Sequence, residues 1–258
     1  MAKMGRVVAI ANQKGGVGKT TTAINLGAAL AAFDRKIAIV DFDPQANATS
    51  GLGRNGQQNG ANAYDVLLGA DARLALRDTG FPNLSLLPSA RDLVGAEIEL
   101  VNQDGRENRL RNAIAPIRQE FDFVFIDCPP SLSLLTVNAL TAADSVLIPL
   151  QTEYFALEGL SELLESVDRV RHSFNPGLEI EGILLTMFDE RTNLARQVLA
   201  DIRGHFGNLV YDTVIPRNVR LGEAPSFGKP VLAYDVKSKG AESYLALGRE
   251  VLRKEEIR

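Results

Sequence analysis

Short runs of consecutive apolar residues alternate along the chain with longer segments in which apolar residues recur every three or four positions. The short runs predict strands at residues 7–11, 37–40, 84–87, 123–126, 146–150, 183–186 and 210–215. The longer segments predict helices at 20–32, 107–119, 134–142, 157–174, 195–206 and 241–254. Because apolar strands separated by helices are typical of a covered parallel sheet, the pattern predicts an α/β fold. We expect a mostly parallel, twisted sheet with helices on both faces.

No long linker, internal repeat or low-complexity tail interrupts this alternation. Residues 51–62 are rich in Gly, Asn and Gln, which predicts a loop, and residues 237–240 predict a short basic turn. A length of 258 residues fits one α/β domain. We therefore predict a single domain over residues 1–258.

The composition is that of an ordinary globular protein, 45% hydrophobic and 23% charged, with a net charge of −4. Because the net charge is negative, binding to nucleic acid would require a local patch of basic residues. The single cysteine, Cys128, excludes an internal disulfide and favours a reducing compartment. With no secretory signal and no apolar run of membrane-spanning length, the sequence predicts a cytoplasmic protein without a membrane partner.

A glycine-rich loop follows the first predicted strand and precedes the first predicted helix. Glycines let backbone N–H groups surround a phosphate, a helix N-terminus adds its dipole, and a Lys-Thr pair can bind phosphate and Mg²⁺. The usual first glycine of such a loop would fall at position 13, which is Gln13, and a second lysine stands beside it. The loop consists of Lys14, Gly15, Gly16, Val17, Gly18, Lys19 and Thr20.

Acidic residues follow two other predicted strands. Asp41 and Asp43 end the second strand, where one could orient a water and the other could hold Mg²⁺ through water; a polar strand exit is an equal alternative. Asp127 follows the apolar run 123–126, an arrangement typical of a Walker B carboxylate near Mg²⁺. Alone Asp127 could simply end its strand, but with the phosphate loop it predicts a carboxylate that reaches the Mg²⁺ held by Thr20.

Taken together, these motifs resemble the deviant Walker A branch of the P-loop NTPases, and most of all the ParA/Soj chromosome and plasmid partition ATPases. The resemblance covers nearly the whole chain. The strings that carry it are 14–20, Asp41-x-Asp43-Pro44-Gln45-x-Asn47, Ile126-Asp127-x-Pro129-Pro130, 185–193, 215–226 and 237–241.

The resemblance implies a role for each matched residue. Lys14 would reach the nucleotide of the other subunit in an ATP-bound sandwich dimer, and Lys19 would act on the phosphates of its own subunit. Asp43 would position the attacking water and, with Thr20 and Asp127, support Mg²⁺. The other implied ATP contacts are Gly15, Gly16, Val17, Gly18 and Thr21 at the phosphates and Pro216 and Asn218 at the adenine.

The same resemblance implies that the dimer binds double-stranded DNA nonspecifically on the nucleoid and that a ParB-type centromere-binding protein stimulates hydrolysis. Arg191 and Arg220, both expected in loops after C-terminal strands, match DNA-contacting basic positions, although either could be an ordinary surface charge. A MinD-like membrane-cycling ATPase remains an alternative, but the C-terminal segment 251–258 is short and charged. A metabolic P-loop enzyme is a third possibility; a nitrogenase-reductase relative would need more than one cysteine.

One position departs from the pattern of these relatives. Ala46 stands where they often carry glycine, in the string that follows Asp43. Alanine costs little there unless the backbone needs a positive φ.

Overall fold

A computed structural model describes residues 4–54 and 60–257 and contains one seven-stranded sheet. The strands lie in the order β3-β4-β2-β5-β1-β6-β7, and every pair is parallel except β3 with β4. This confirms the predicted α/β class and the mostly parallel sheet. The strands are β1 Arg6–Ile10, β2 Ile37–Asp41, β3 Arg77–Asp78, β4 Leu84–Leu87, β5 Phe123–Asp127, β6 Ser145–Gln151 and β7 Glu179–Thr186.

Helices connect the strands and cover both faces of the sheet. The six predicted helices are present, five with shifted ends and the one at 134–142 as predicted, and the described segments between them contain six shorter helices. They are α1 Lys19–Ala31, α2 Asn47–Gly51, α3 Ala63–Leu67, α4 Ala72–Ala75, α5 Leu93–Glu99, α6 Arg109–Arg118, α7 Leu134–Ala142, α8 Ala156–Ser173, α9 Asn193–Phe206, α10 Val219–Glu223, α11 Val231–Tyr234 and α12 Lys239–Ile257. None of the described helices is both long and apolar enough to cross a bilayer.

Alternate residues of each central strand point to opposite faces, so the sheet has a core on either side. In β1, Val7 and Ala9 belong to the core under α6, α7 and α8, whereas Val8 and Ile10 belong to the core under α1 and α12. Both faces of the central strands are buried, which explains why their sequences are apolar throughout. Parallel pairing of β5 with both β1 and β2 places the carboxyl ends of these three strands side by side. Ligands of open α/β sheets bind at such strand ends.

The strand predicted at 210–215 is wrong. This segment follows the edge of the sheet through two isolated bridges, Ile183 with Val210 and Phe188 with Pro216. Between them, the carboxylate of Glu250 accepts hydrogen bonds from the N–H groups of residues 212 and 213 at 2.8 and 3.0 Å. A side chain therefore occupies donors that a strand ladder would need, although Val210, Tyr211 and Ile215 stay buried.

Other boundaries differ in smaller ways. The helix predicted at 107–119 starts as a 3₁₀ turn, Arg106–Asn108, before α6. The loop predicted at 51–62 begins after α2, but its residues 55–59 lie outside the described part of the chain. Arg220, expected in a loop after a strand, lies in the short helix α10.

Candidate nucleotide site

The predicted phosphate loop joins the carboxyl end of β1 to the start of α1. Gly16 and Gly18 have φ angles of +75° and +89°, a left-handed conformation that glycine adopts without a Cβ clash. The N–H of Lys14 donates to Asn12 Oδ1 at 2.9 Å, and the Thr186 hydroxyl donates to the Val17 carbonyl at 2.8 Å. Contacts outside the loop therefore hold its shape without any ligand.

Lys19, the first residue of α1, is nearly buried at 7% exposure. Its Nζ donates to the carbonyl of Lys14 at 3.0 Å, which curls the side chain back along the loop. Burial lowers the pKa of Lys19, and the neighbouring Asp127, Cys128 and Asp43 oppose that shift. A buried cation with few fixed partners is well suited to an anionic ligand such as a phosphate.

The three predicted carboxylates come from two neighbouring strands. Asp41 ends β2 and lies directly beside Asp127, which ends β5. Asp43 follows two residues after Asp41, is 6% exposed, and accepts a hydrogen bond from the Gln45 N–H at 2.9 Å. Burial, opposed by hydrogen bonds from Thr49, raises the pKa of Asp41 to about 6.

Asp127 is fully buried, and within the described residues neither carboxyl oxygen makes a hydrogen bond of good geometry. Burial and the adjacent Asp41 raise its pKa well above the usual range, while the Thr20 hydroxyl and Lys19 counter part of that rise. Buried polar atoms without partners are uncommon and usually mark an ion, a water or a functional group. The two carboxyl oxygens of Asp127 would fit a hydrated Mg²⁺ beside Thr20.

A cavity of about 410 Å³ opens above these groups. Among the predicted residues it brings together Gly15, Gly16, Gly18, Lys19, Thr20 and Thr21 with Asp43. Val17 is buried beneath the loop, and neither Asp127 nor Lys14 lines the cavity. Sequence reasoning named no site role for the further lining residues Asn47, Ser50, Met187, Pro225 and Lys229.

A second cavity, of about 200 Å³, continues from the first and shares Gly18, Thr21 and Met187 with it. Pro216 and Asn218, the predicted adenine contacts, line it together with apolar residues such as Ile215 and Leu221. The side-chain oxygen Oδ1 of Asn218 is engaged at the start of α10, where it accepts a hydrogen bond from the Arg220 N–H at 3.0 Å. A cavity lined by a phosphate loop and joined to a smaller, partly apolar one has the chemistry of a nucleotide site.

The side chain of Lys14 points away from the phosphate cavity. Its Nζ forms an ion pair with Glu153, which follows β6, and both side chains remain about half exposed. The ammonium group of Lys14 therefore lies at the protein surface beside the nucleotide site.

Arg191 and Arg220 lie outside both cavities and are engaged by acidic neighbours. Arg191 is 84% exposed and donates from Nε and Nη2 to the two oxygens of Asp189 at 2.8 and 2.7 Å. These hydrogen bonds lower the pKa of Asp189 to about 2. Arg220 pairs with Glu223 at 2.7 Å and with Asp235 at 3.2 Å.

The residue that departs from the relatives' pattern has an unusual backbone. Ala46 has φ +53° and ψ +39° and stands directly before α2. A left-handed conformation costs a non-glycine residue roughly 1–2 kcal/mol, so the condition under which alanine is costly is met here.

Replacing Ala46 with glycine is expected to raise the free energy of unfolding by about 1 kcal/mol, because glycine removes the Cβ strain. Urea unfolding followed by circular dichroism measures the change. Ala48→Gly is the matched control: Ala48 is buried inside the same helix, so that variant should lose about 1 kcal/mol. Destabilisation of similar size in both variants would contradict the assigned strain.

Comparisons with known proteins agree with this geometry. The family model AAA_31, described as an AAA domain, matches residues 5–180. The chromosome partitioning protein ParA of Myxococcus xanthus is 56% identical over 98% of this chain and 90% of its own. The sporulation initiation inhibitor protein Soj of Bacillus subtilis is 55% identical over 96% of this chain and 98% of its own.

Among solved structures, the cobyrinic acid a,c-diamide synthase of Mycobacterium smegmatis with bound ADP and magnesium has a TM-score of 0.86. It is 40% identical over 98% of this chain and 96% of its own. The family match spans more than half of the chain, and the ParA and Soj relatives align over almost all of it. The chain therefore belongs to the ParA/Soj family of chromosome partitioning ATPases.

Proposed function

We propose that residues 1–258 form a single ATPase domain that binds ATP with Mg²⁺ and hydrolyses it to drive DNA partition. The observation that carries the proposal is the convergence of Lys19, Thr20 and Asp43 on one cavity, with Asp127 buried directly behind them. These are the cation, hydroxyl and carboxylates that phosphoryl transfer requires. The continuous second cavity offers room for the base of the nucleotide.

Each group has a distinct task in this proposal. The N–H groups of the loop and the Lys19 ammonium hold the phosphates, and Pro216 and Asn218 contact the adenine. Thr20 and Asp127 would hold Mg²⁺, directly or through water, with Asp43 nearby; bound Mg²⁺ neutralises charge on the phosphate oxygens. Asp43 orients the attacking water from its fixed position on the loop after β2.

The proposed assembly is an ATP-dependent sandwich dimer. Lys14 is outside its own phosphate cavity, exposed beside it, and its one ion pair among the described residues is with the half-exposed Glu153. Such a surface pair contributes little to stability, so Lys14 can exchange Glu153 for a nucleotide phosphate of a second subunit.

The proposed output is nonspecific binding to the DNA of the nucleoid in the cytoplasm. Arg191 and Arg220 would contact phosphates, and a ParB-type centromere-binding protein would stimulate hydrolysis. Because each arginine is paired with a carboxylate, DNA phosphates must displace Asp189, Glu223 and Asp235. These exposed ion pairs are individually weak, so a polyanion can compete for the arginines.

The proposal is tested by the double variant Arg191→Glu with Arg220→Glu. With ATP, the parent should bind unrelated DNA sequences similarly, and four phosphate contacts per dimer would cost roughly 100-fold in affinity for a fourfold rise in salt. The double variant should lose detectable DNA binding but keep nucleotide binding and dimerisation. DNA affinity is measured by fluorescence anisotropy with ADP, ATP and a nonhydrolysable analogue across a salt series.

Two controls make this measurement specific. Arg73→Glu with Arg171→Glu changes the net charge equally at two other ion-paired arginines and should retain DNA binding. Asp189→Asn removes the competitor of Arg191 and should raise DNA affinity several-fold. Equal DNA binding by parent and double variant would refute the assignment of DNA contacts to these two arginines. A parent that does not bind DNA with ATP would instead return a MinD-like ATPase and a metabolic enzyme to contention; the neighbour from M. smegmatis is named as a metabolic enzyme.

A further inference from the structure

Asp41 is a completely buried carboxylate for which the proposed ATPase cycle has no task. Both of its oxygens nevertheless accept hydrogen bonds. Oδ1 accepts from the backbone N–H of Asp43 at 3.3 Å. Oδ2 accepts from the backbone N–H and the hydroxyl of Thr49 at 2.7 and 2.6 Å. One side chain therefore holds the residue proposed to orient water and also holds helix α2.

The contacts continue from Thr49 to a third segment of the chain. The Thr49 hydroxyl, fully buried, accepts a hydrogen bond from the N–H of Ser89 at 2.9 Å. Ser89 follows β4, the strand next to β2. Thr49 thus fastens α2 both to the end of its own strand and to the segment that follows the neighbouring strand.

These bonds close residues 41–49 into a compact loop with Asp43 inside it. The backbone of the loop is also fixed by the Ala46 N–H, which donates to the Asp43 carbonyl at 2.9 Å. Asn47 and Ser50 of α2 line the phosphate cavity beside Asp43. A displacement of α2 would therefore move Asp43 relative to the phosphates.

We propose that Asp41 and Thr49 are positioning residues for hydrolysis: their hydrogen bonds hold Asp43 and α2 at a fixed distance from the bound nucleotide. The inference rests on the proposed ATPase function and adds two residues that have no task in the proposed cycle. Neither side chain lines the cavity, so neither contacts the nucleotide. Their loss should consequently affect the rate of the chemical step more than the affinity for ATP.

The test compares three variants at position 49 and its partner. Thr49→Val keeps the shape but loses the hydroxyl, and kcat for ATP should fall roughly 10- to 100-fold while KM and Kd for ATP change less than about threefold. Thr49→Ser restores the hydroxyl and should return kcat to within about threefold of the parent. Asp41→Asn keeps the volume of the side chain but can no longer accept all three hydrogen bonds, so kcat should fall at least as far.

Thr141→Val is the matched control. Thr141 is fully buried in α7, and its hydroxyl makes no hydrogen bond within the described residues. Its kcat should equal that of the parent, with the melting temperature of each variant recorded to separate stability from rate. If Thr49→Val is unfolded, Asp41→Asn with Thr49→Ser carries the test.

Parental kcat in Thr49→Val, or equal losses in Thr49→Val and Thr141→Val, would overturn the inference. So would a serine variant as slow as the valine variant, because the hydroxyl would then not matter. An active parent with any of these results refutes the positioning role alone. A parent that does not hydrolyse ATP refutes the proposed function and the inference that rests on it.

Discussion

Replacing Asp43 with alanine is expected to lower kcat for ATP hydrolysis by at least about 100-fold, the scale of losing a positioned acid or base. Asp43 is nearly buried, lines the phosphate cavity and is held by the N–H of Gln45. No other carboxylate lines that cavity among the described residues. Its loss should leave the attacking water without an orienting group.

ATP binding should survive the same change, because the phosphate loop and Lys19 remain in place. Steady-state phosphate release gives kcat, and titration with a fluorescent ATP analogue gives Kd, which should stay within about fivefold. Asp122→Ala is a suitable control, since Asp122 lies at the amino end of β5, away from the cavity at the carboxyl ends. Its carboxylate accepts a hydrogen bond from the Lys36 N–H. Hydrolysis at the parental rate by Asp43→Ala would exclude the assigned role.

The prediction of strands was correct where burial on both faces of the sheet requires a continuous run of apolar residues. Six of the seven predicted strands are present; four are extended by one or more residues, one matches and one is shifted by a single residue. The failure at 210–215 has a specific cause: Glu250, almost forty residues later in the chain, takes the N–H donors of that segment. The two-residue strand β3 was missed because Arg77 and Asp78 carry no apolar signal.

The residues of the candidate site also fall into a predictable and an unpredictable group. The phosphate loop and the acids at the strand ends could be predicted because consecutive residues at a strand end carry the chemistry. Met187 and Lys229 could not, since distant segments bring them to the cavity and neither belongs to a recognised nucleotide motif. The hydrogen bonds between Asp41 and Thr49 could not be predicted either, because Thr49 forms part of an unpredicted helix.

The surface charges were the least predictable part. Asp189 lies two residues before Arg191 and Glu223 three residues after Arg220, so both partners were visible in the sequence. Spacing alone does not tell whether such neighbours pair, since side-chain direction depends on the local backbone. The turn after β7 and the helix α10 supply that geometry.

Replacing Lys14 with alanine should weaken the ATP-dependent dimer far more than it weakens ATP binding. Hydrogen bonds to charged groups contribute about 1.5–3 kcal/mol each, so two per dimer would account for about 3–6 kcal/mol of association. That loss raises the dimer dissociation constant at least roughly 100-fold. Each subunit would still hold its own phosphates through Lys19 and the loop, whose cavity Lys14 does not line.

Light scattering with a nonhydrolysable ATP analogue measures the dimer fraction, and fluorescence titration measures nucleotide affinity in the same samples. Glu153→Gln provides the informative comparison, because it releases Lys14 from its ion pair without removing the cation. That variant should dimerise at least as well as the parent, since Lys14 no longer has to leave Glu153. If Lys14→Ala instead keeps the parental dimer fraction, the second lysine of the loop has no role across the interface.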